Sequence, residues 1–228
     1  MAIFALSDLH LSEQVDKPMD VFGTNWENYT ERIKDMWQKT VNDTDTVLIP
    51  GDVSWGTYLE QAEKDFRFIE QLPGIKYISK GNHDYWWETV TKMNQFLDAH
   101  AFKTIRFVYN SAFLAENVAV CATKGFEKET EERLKARELM RMENSLIEGK
   151  KLNGSKMVAM LHYPPFYKNG EPITEMHALL KKYDVHTCVY GHIHNRGHKI
   201  PVDAESDGIR FRLVSCDQVE FCPVALAF

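Results

Sequence analysis

Lys80-Gly81-Asn82-His83-Asp84 directly follows the short apolar run Ile75 to Ile78, which reads as a buried strand. Gly81 permits a sharp turn. Asn82 offers a neutral oxygen, His83 titrates near neutral pH, and Asp84 can orient an imidazole by hydrogen bonding. Structure alone gives little reason to crowd these groups together where a strand ends. Four other strand ends repeat the pattern. Asp8 and His10 follow Met1 to Ser7, and Asp52 follows Thr46 to Pro50. His162 follows Lys156 to Leu161, and His192 with His194 follows Thr187 to Tyr190.

Helical patterns lie between the first of these strands. Tyr29, Ile33, Met36, Trp37 and Val41 share one face of a helix over Glu27 to Val41. Leu59, Ala62, Phe66 and Ile69 mark a second, and Glu88 to Leu97 a third. Strand–helix–strand–helix–strand is the grammar of an α/β fold with right-handed crossovers. The pattern then changes. Thr104 to Val108, Ala112 to Ala115 and Val118 to Ala122 read as short strands in a mixed or antiparallel region. Glu127 to Glu148 is a long charged helix, and Met176 to Tyr183 a further one. Ile209 to Ser215 and Val224 to Phe228 read as late strands. The 228 residues are expected to form one domain.

The formal charge of −6 argues against a broad nucleic-acid or acidic-membrane footprint, although nucleotides remain open as small substrates. Cys121, Cys188, Cys216 and Cys222 are scattered, with no paired spacing. They read as reduced thiols of a cytoplasmic protein. Met1 to Leu6 lacks the basic leader of a signal peptide. No apolar run approaches the ~20 residues of a membrane span.

The carboxyl ends of strands in an open α/β sheet converge on one edge, where sites form. Residues two apart in extended chain point the same way. Asp8 with His10, and His192 with His194, can therefore each face one centre. Two carboxylates (Asp8, Asp52), one amide (Asn82) and four imidazoles (His10, His162, His192, His194) suit first-row divalent ions such as Mn, Fe or Zn. Seven ligands exceed one tetrahedral site and suit two ions sharing a bridging carboxylate. Two such ions (+4) and two aspartates (−2) leave +2, which attracts an anion despite the acidic surface.

The blocks Asp8-x-His10, Gly51-Asp52, Gly81-Asn82-His83-Asp84, His162 and Gly191-His192-x-His194 resemble, in order, those of the calcineurin-like metallophosphoesterases. The segment Lys135 to Leu146 is also similar to a helix of uncharacterised bacterial members. The resemblance implies a two-sheet mixed α/β sandwich flanked by helices. It implies one metal held by Asp8, His10 and His194, a second held by Asn82, His162 and His192, and Asp52 bridging them. His83 would be the catalytic imidazole that stabilises the phosphoryl group or protonates the leaving oxygen, and Asp84 would orient it. The reaction implied is in-line attack by a dimetal-bridging hydroxide on a small phosphorylated substrate, a phosphodiester before a monoester or pyrophosphate. A non-catalytic metal-binding scaffold is the remaining alternative. One departure is that Val53-Ser54-Trp55 follows Gly51-Asp52, where many relatives carry a further acid or histidine.

Several residues carry two readings at this stage. Tyr85, Trp86, Trp87, Trp55, Phe166 and Tyr167 are either walls for a base or aromatic leaving group, or core. Lys80 and Arg196 are either phosphate contacts or solvated cations. The Glu127 to Glu148 helix is either a lid or an outer surface.

Overall fold

The computed structural model describes residues 1–195 and 197–228; Arg196 lies outside the described residues. Among the described residues, eleven strands form two sheets. In the first, β1 (Ile3–Ala5), β2 (Thr46–Ile49), β3 (Ile75–Ile78) and β4 (Ile105–Phe107) run parallel, and β11 (Val224–Ala225) pairs antiparallel with β1. In the second, β6 (Val118–Thr123), β7 (Lys156–Leu161), β8 (Thr187–Tyr190) and β10 (Ile209–Leu213) run parallel. Antiparallel β5 (Ser111–Ala115) and β9 (Asp203–Ser206) form its edges.

β1, β2, β6 and β8 are buried along their length because both faces are covered, which is why they read as continuous runs, whereas β10 alternates. Between the sheets, Ile3, Ala5 and Leu48 pack with Val120, Ala122, Val158, Met160 and Val189. Tyr77 and Phe113 stack in the same layer with centroids 3.7 Å apart. Outside the first sheet lie α1 (Tyr29–Thr40), α2 (Glu63–Glu70) and α3 (Val90–Ala99); outside the second lie α4 (Glu132–Lys151) and α5 (Thr174–Lys182). The result is an α/β sandwich of two mixed sheets flanked by helices.

Each helix is held by one stripe. Tyr29, Ile33 and Trp37, four residues apart, are the buried positions of α1. Burying side chains of that size contributes about 2–3 kcal/mol each before the cost of ordering them. Thr89 caps α3 by accepting the Lys92 amide at 3.3 Å.

The expected mixed region is present: β4 extends the first sheet in parallel, and the β5–β6 hairpin is antiparallel. Two details differ from the sequence reading. The predicted second helix opens with a 3-10 turn at Leu59–Ala62 before α2. β9 is an added edge strand, polar and largely exposed. Cys121, Cys188 and Cys216 are buried and Cys222 partly so, all as free thiols. Among the described residues, no helix is long and apolar enough to cross a membrane.

The two sheets meet at the carboxyl ends of β1 and β10. Ser7 donates its amide to Val214 O at 2.8 Å, and Cys216 donates to Ser7 O at 3.0 Å. That junction brings residues from the first and last thirds of the chain to one edge.

Candidate metal centre

The loops after β1, β2, β7 and β8 converge beside this junction. Asp8, His10 and His194 gather into one cluster, and Asp52, His162 and His192 into another, with the ligand atoms of each within 4.8 Å of one another. The loops turn at once to do this. Asp8 (φ 59°), His10 (φ 46°), Asp52 (φ 53°) and His192 (φ 72°) all have left-handed backbone. Short polar side chains tolerate that region best, and such outliers collect at functional sites. Gly81 and Gly191 permit the final approach. A Cβ on Gly81 would strike the Asp52 carboxylate, and one on Gly191 would strike Asp8 and Ser7.

The first cluster is built on a buried carboxylate. Asp8 accepts from the hydroxyls of Ser7 and Ser215 and from the His192 amide at 3.0 Å. His194 Nε2 lies 3.4 Å from Asp8 Oδ1 and 3.1 Å from His10 Nε2. Burial works to raise the Asp8 carboxyl, but the hydrogen bond and charge of His194, aided by His162 and His10, hold it well below the carboxylate range. Burial works to lower His194, but its bonds to Asp217 and Asp8 raise it to about 10. Burial, with the charge of His194, drives His10 down.

In the second cluster, His162 Nδ1 donates to Pro50 O at 2.8 Å, since a carbonyl can only accept. Burial lowers this imidazole to about 4, so it is neutral at pH 7. Its Nε2 lone pair then faces Asn82 Oδ1 at 2.6 Å and Asp52 Oδ2 at 3.5 Å. His192 Nδ1 also meets Asn82 Oδ1, at 2.9 Å, and burial and the nearby His162 lower it to about 4. The His162 lone pair and the Asn82 oxygen thus face each other with no proton between them, an arrangement that a cation satisfies. The oxygen and imidazole donors suit a first-row divalent ion. Asp52 Oδ2 lies 3.5 Å from His162 Nε2 and 3.9 Å from His10 Nε2, one residue of each cluster. Burial, then the charges of Asp8 and Asp84, push the Asp52 carboxyl well up.

His83 stands outside both clusters. Its amide donates to Asp52 Oδ1 at 2.8 Å, while its half-buried ring lies 5.8 Å from that of His10. Burial lowers its pKa. The expected bond from Asp84 to this imidazole is replaced by a different role. Asp84 is fully buried, and its Oδ2 accepts the amides of Asp52 (2.9 Å) and Gly81 (2.7 Å). Its Oδ1 accepts the Val53 amide (2.9 Å) and the Trp86 indole N–H (3.0 Å). Three backbone amides and one indole N–H occupy both carboxylate oxygens and turn them away from the adjacent imidazole.

Two carboxylates missed in the sequence complete the surroundings. Asp217, in a 3-10 turn after β10, accepts from His194 Nδ1 at 2.8 Å and from the Asn195 amide at 2.8 Å. Glu127 Oε1 lies 3.4 Å from His192 Nε2. Each carboxylate fixes its imidazole so that the other ring nitrogen faces inward. Asp217 follows a strand end as the other acids do, and that signal could have found it. Glu127 precedes α4 in a loop rather than belonging to a charged helix face. Of the aromatic residues, Trp86 and Phe166 are core. Tyr85 is exposed, with its hydroxyl 3.5 Å from His83 Nδ1.

The calcineurin-like phosphoesterase family profile matches residues 1–196. Among solved structures, the chain is similar to TT1561 of Thermus thermophilus, with 13% identity, TM-score 0.62, and 93% of this chain and 88% of that one covered. It is also similar to AQ665 of Aquifex aeolicus, a protein of unknown function, with 14% identity, TM-score 0.51, and 98% and 95% covered. At these identities the likeness is one of fold. No curated protein sequence matches the chain.

Proposed function

Because the chain belongs to the calcineurin-like phosphoesterase family, and its two donor clusters suit a binuclear divalent site, we propose that it is a metal-dependent hydrolase of a small phosphoester acting through that pair. The observation that carries this is Asp52. Its one carboxylate oxygen reaches towards an imidazole of each cluster, as a bridging ligand must. Asp8, His10 and His194 then hold one ion, and Asn82, His162 and His192 the other, with Mn, Fe or Zn the fitting metals. When bound, two divalent ions acidify water into a nucleophile at neutral pH and offset charge on the phosphoryl oxygens.

The chain's own residues do the rest. Pro50, Asp217 and Glu127 fix the imidazole tautomers. The Asp84 carboxylate ties the loop bearing Asp52 to the loop bearing Asn82. His83 is tethered by its amide while its ring stays outside both donor sets. It is placed to contact a phosphoryl oxygen or protonate the leaving oxygen, a role that contributes about 10²–10⁴-fold in rate. A diester is the first substrate class to try, because an apolar cavity beside the first cluster leaves room for a substituent on phosphorus.

The test is hydrolysis of bis-p-nitrophenyl phosphate and p-nitrophenyl phosphate by protein stripped of metal and reloaded with Mn. The expected result is turnover that is lost with chelator and in Asp52→Asn. Full metal content and unchanged turnover in Asp52→Asn would end the bridging assignment. Silence on both esters with two metals bound would favour the scaffold reading.

A further inference from the structure

A cavity of about 220 Å³ opens against His10, His83 and His194. Its other walls are Met19, Phe22, Trp26 and Trp55, with the polar Asn195 at one side. We propose that this cavity seats an uncharged aromatic ring carried by the substrate on its phosphoryl group, so that the site selects aryl or arylmethyl phosphoesters; this rests on the phosphoesterase reading above.

Position comes first. His10 and His194 belong to the first cluster, and His83 stands beside both, so a phosphoryl group held there has this cavity next to it. Size comes second. A dry cavity of about 150 Å³ accommodates benzene, so about 220 Å³ suits one ring with its first substituents.

The walls are fixed and flat. Trp26 is buried, packed edge-on against Tyr29 and Phe221 with centroids 5.4 and 5.6 Å away. The Trp55 ring stacks on His10 at 4.9 Å, and its indole N–H donates to Met19 Sδ at 3.3 Å. That bond sets the ring's orientation and occupies its one polar group. Aromatic walls favour offset or edge contacts with another ring.

The rim points the same way. Met19–Phe22 form a 3-10 turn, and Val21 and Phe22 are 72% and 62% exposed at its end. Apolar surface left in water beside a cavity is covered favourably by an apolar ligand. Aromatic walls also suit quaternary ammonium groups. Here, however, Lys17 Nζ lies 5.3 Å from the Trp55 centroid and repels a cation.

The experiment compares two phosphonates whose C–P bonds resist hydrolysis, benzylphosphonate and ethylphosphonate, binding to Mn-loaded protein. Calorimetry and tryptophan fluorescence read the affinities. The expected result is benzylphosphonate binding at least about tenfold tighter, with the preference shrinking to about threefold or less in Trp55→Ala. Because Trp55 packs on His10, the exposed Phe22→Ala is the second variant, expected to weaken benzylphosphonate alone by about threefold. Equal affinities in the wild type, or a preference untouched by both variants, would overturn the proposal. So would tighter binding of 2-(trimethylammonio)ethylphosphonate than of benzylphosphonate. Nitrophenyl ester hydrolysis is scored separately. Turnover with equal phosphonate affinities sinks the aromatic pocket alone, whereas the benzyl preference without turnover upholds the pocket and sinks the hydrolase.

Discussion

Asp84 and Asp52 are locked together through the main chain. Asp84 Oδ2 accepts the Asp52 amide at 2.9 Å, and Asp52 Oδ1 accepts the His83 amide at 2.8 Å. Two loops from neighbouring strands thereby hold each other, and Asp52, the residue proposed to bridge the metal pair, is positioned by a second carboxylate that lies outside both donor clusters.

Asp84→Asn tests that relationship. Each oxygen of Asp84 accepts two N–H groups, so whichever becomes the amide nitrogen leaves two buried donors facing a donor. Each buried unsatisfied group costs about 1–3 kcal/mol. Urea denaturation is expected to show roughly 2–4 kcal/mol lost, with weakened metal retention. A residue that only oriented His83 would lower turnover and leave stability intact.

Asp217→Asn and Glu127→Gln address the carboxylates behind His194 and His192. Loss of such a partner typically costs about 10–100-fold in metal affinity. Titration of stripped protein with Mn is expected to show one weakened site in each variant, a different one in each. Weakening of both sites together, or of neither, would remove the carboxylates from this role.

The fold was readable where burial is two-sided. β2, β7 and β8 are apolar along their length because helices and the other sheet cover both faces. β9 was not readable: Asp203-Ala204-Glu205-Ser206 lies at a largely exposed edge and pairs only with β10, so no apolar pattern marks it. Within the site, the ligand types at strand ends announced themselves. What each neighbour does was not announced. Asp84 is adjacent to His83 in sequence, yet its carboxylate faces the backbone amides of another loop. Asp217 reaches His194 across 23 residues, a contact that follows from the parallel pairing of β8 with β10, whose carboxyl ends carry the two residues.

Gly191→Ala probes how tightly the first cluster is closed. The added Cβ would run into the Asp8 carboxylate and the Ser7 hydroxyl, both buried and already bonded to one another. Asp8 must turn away from His194. Metal stoichiometry after reloading is expected to fall from two towards one, with the site of His162 and Asn82 retained as an internal control. Two metals at wild-type affinity would mean that Asp8 is not a ligand.

Asp65 yields a pH dependence away from the metals. It is fully buried, accepting from the Ser54 hydroxyl and from the Glu13 amide at 2.9 Å. Burial raises its carboxyl to about 6, against the pull of those two donors. The fold therefore favours the protonated acid. That contribution is complete below the unfolded value of about 3.9 and is lost as pH rises through about 6. The side-chain amide introduced by Asp65→Asn cannot titrate, yet it can accept from the Glu13 amide and donate to the Ser54 hydroxyl. Other groups also titrate in this range, so the difference between the two proteins is the measurement. From pH 4 to pH 7 the wild type is expected to lose stability relative to Asp65→Asn, by up to about 3 kcal/mol. Denaturation midpoints across that range check it, and a constant offset between the two proteins would show that the fold does not raise the Asp65 carboxyl.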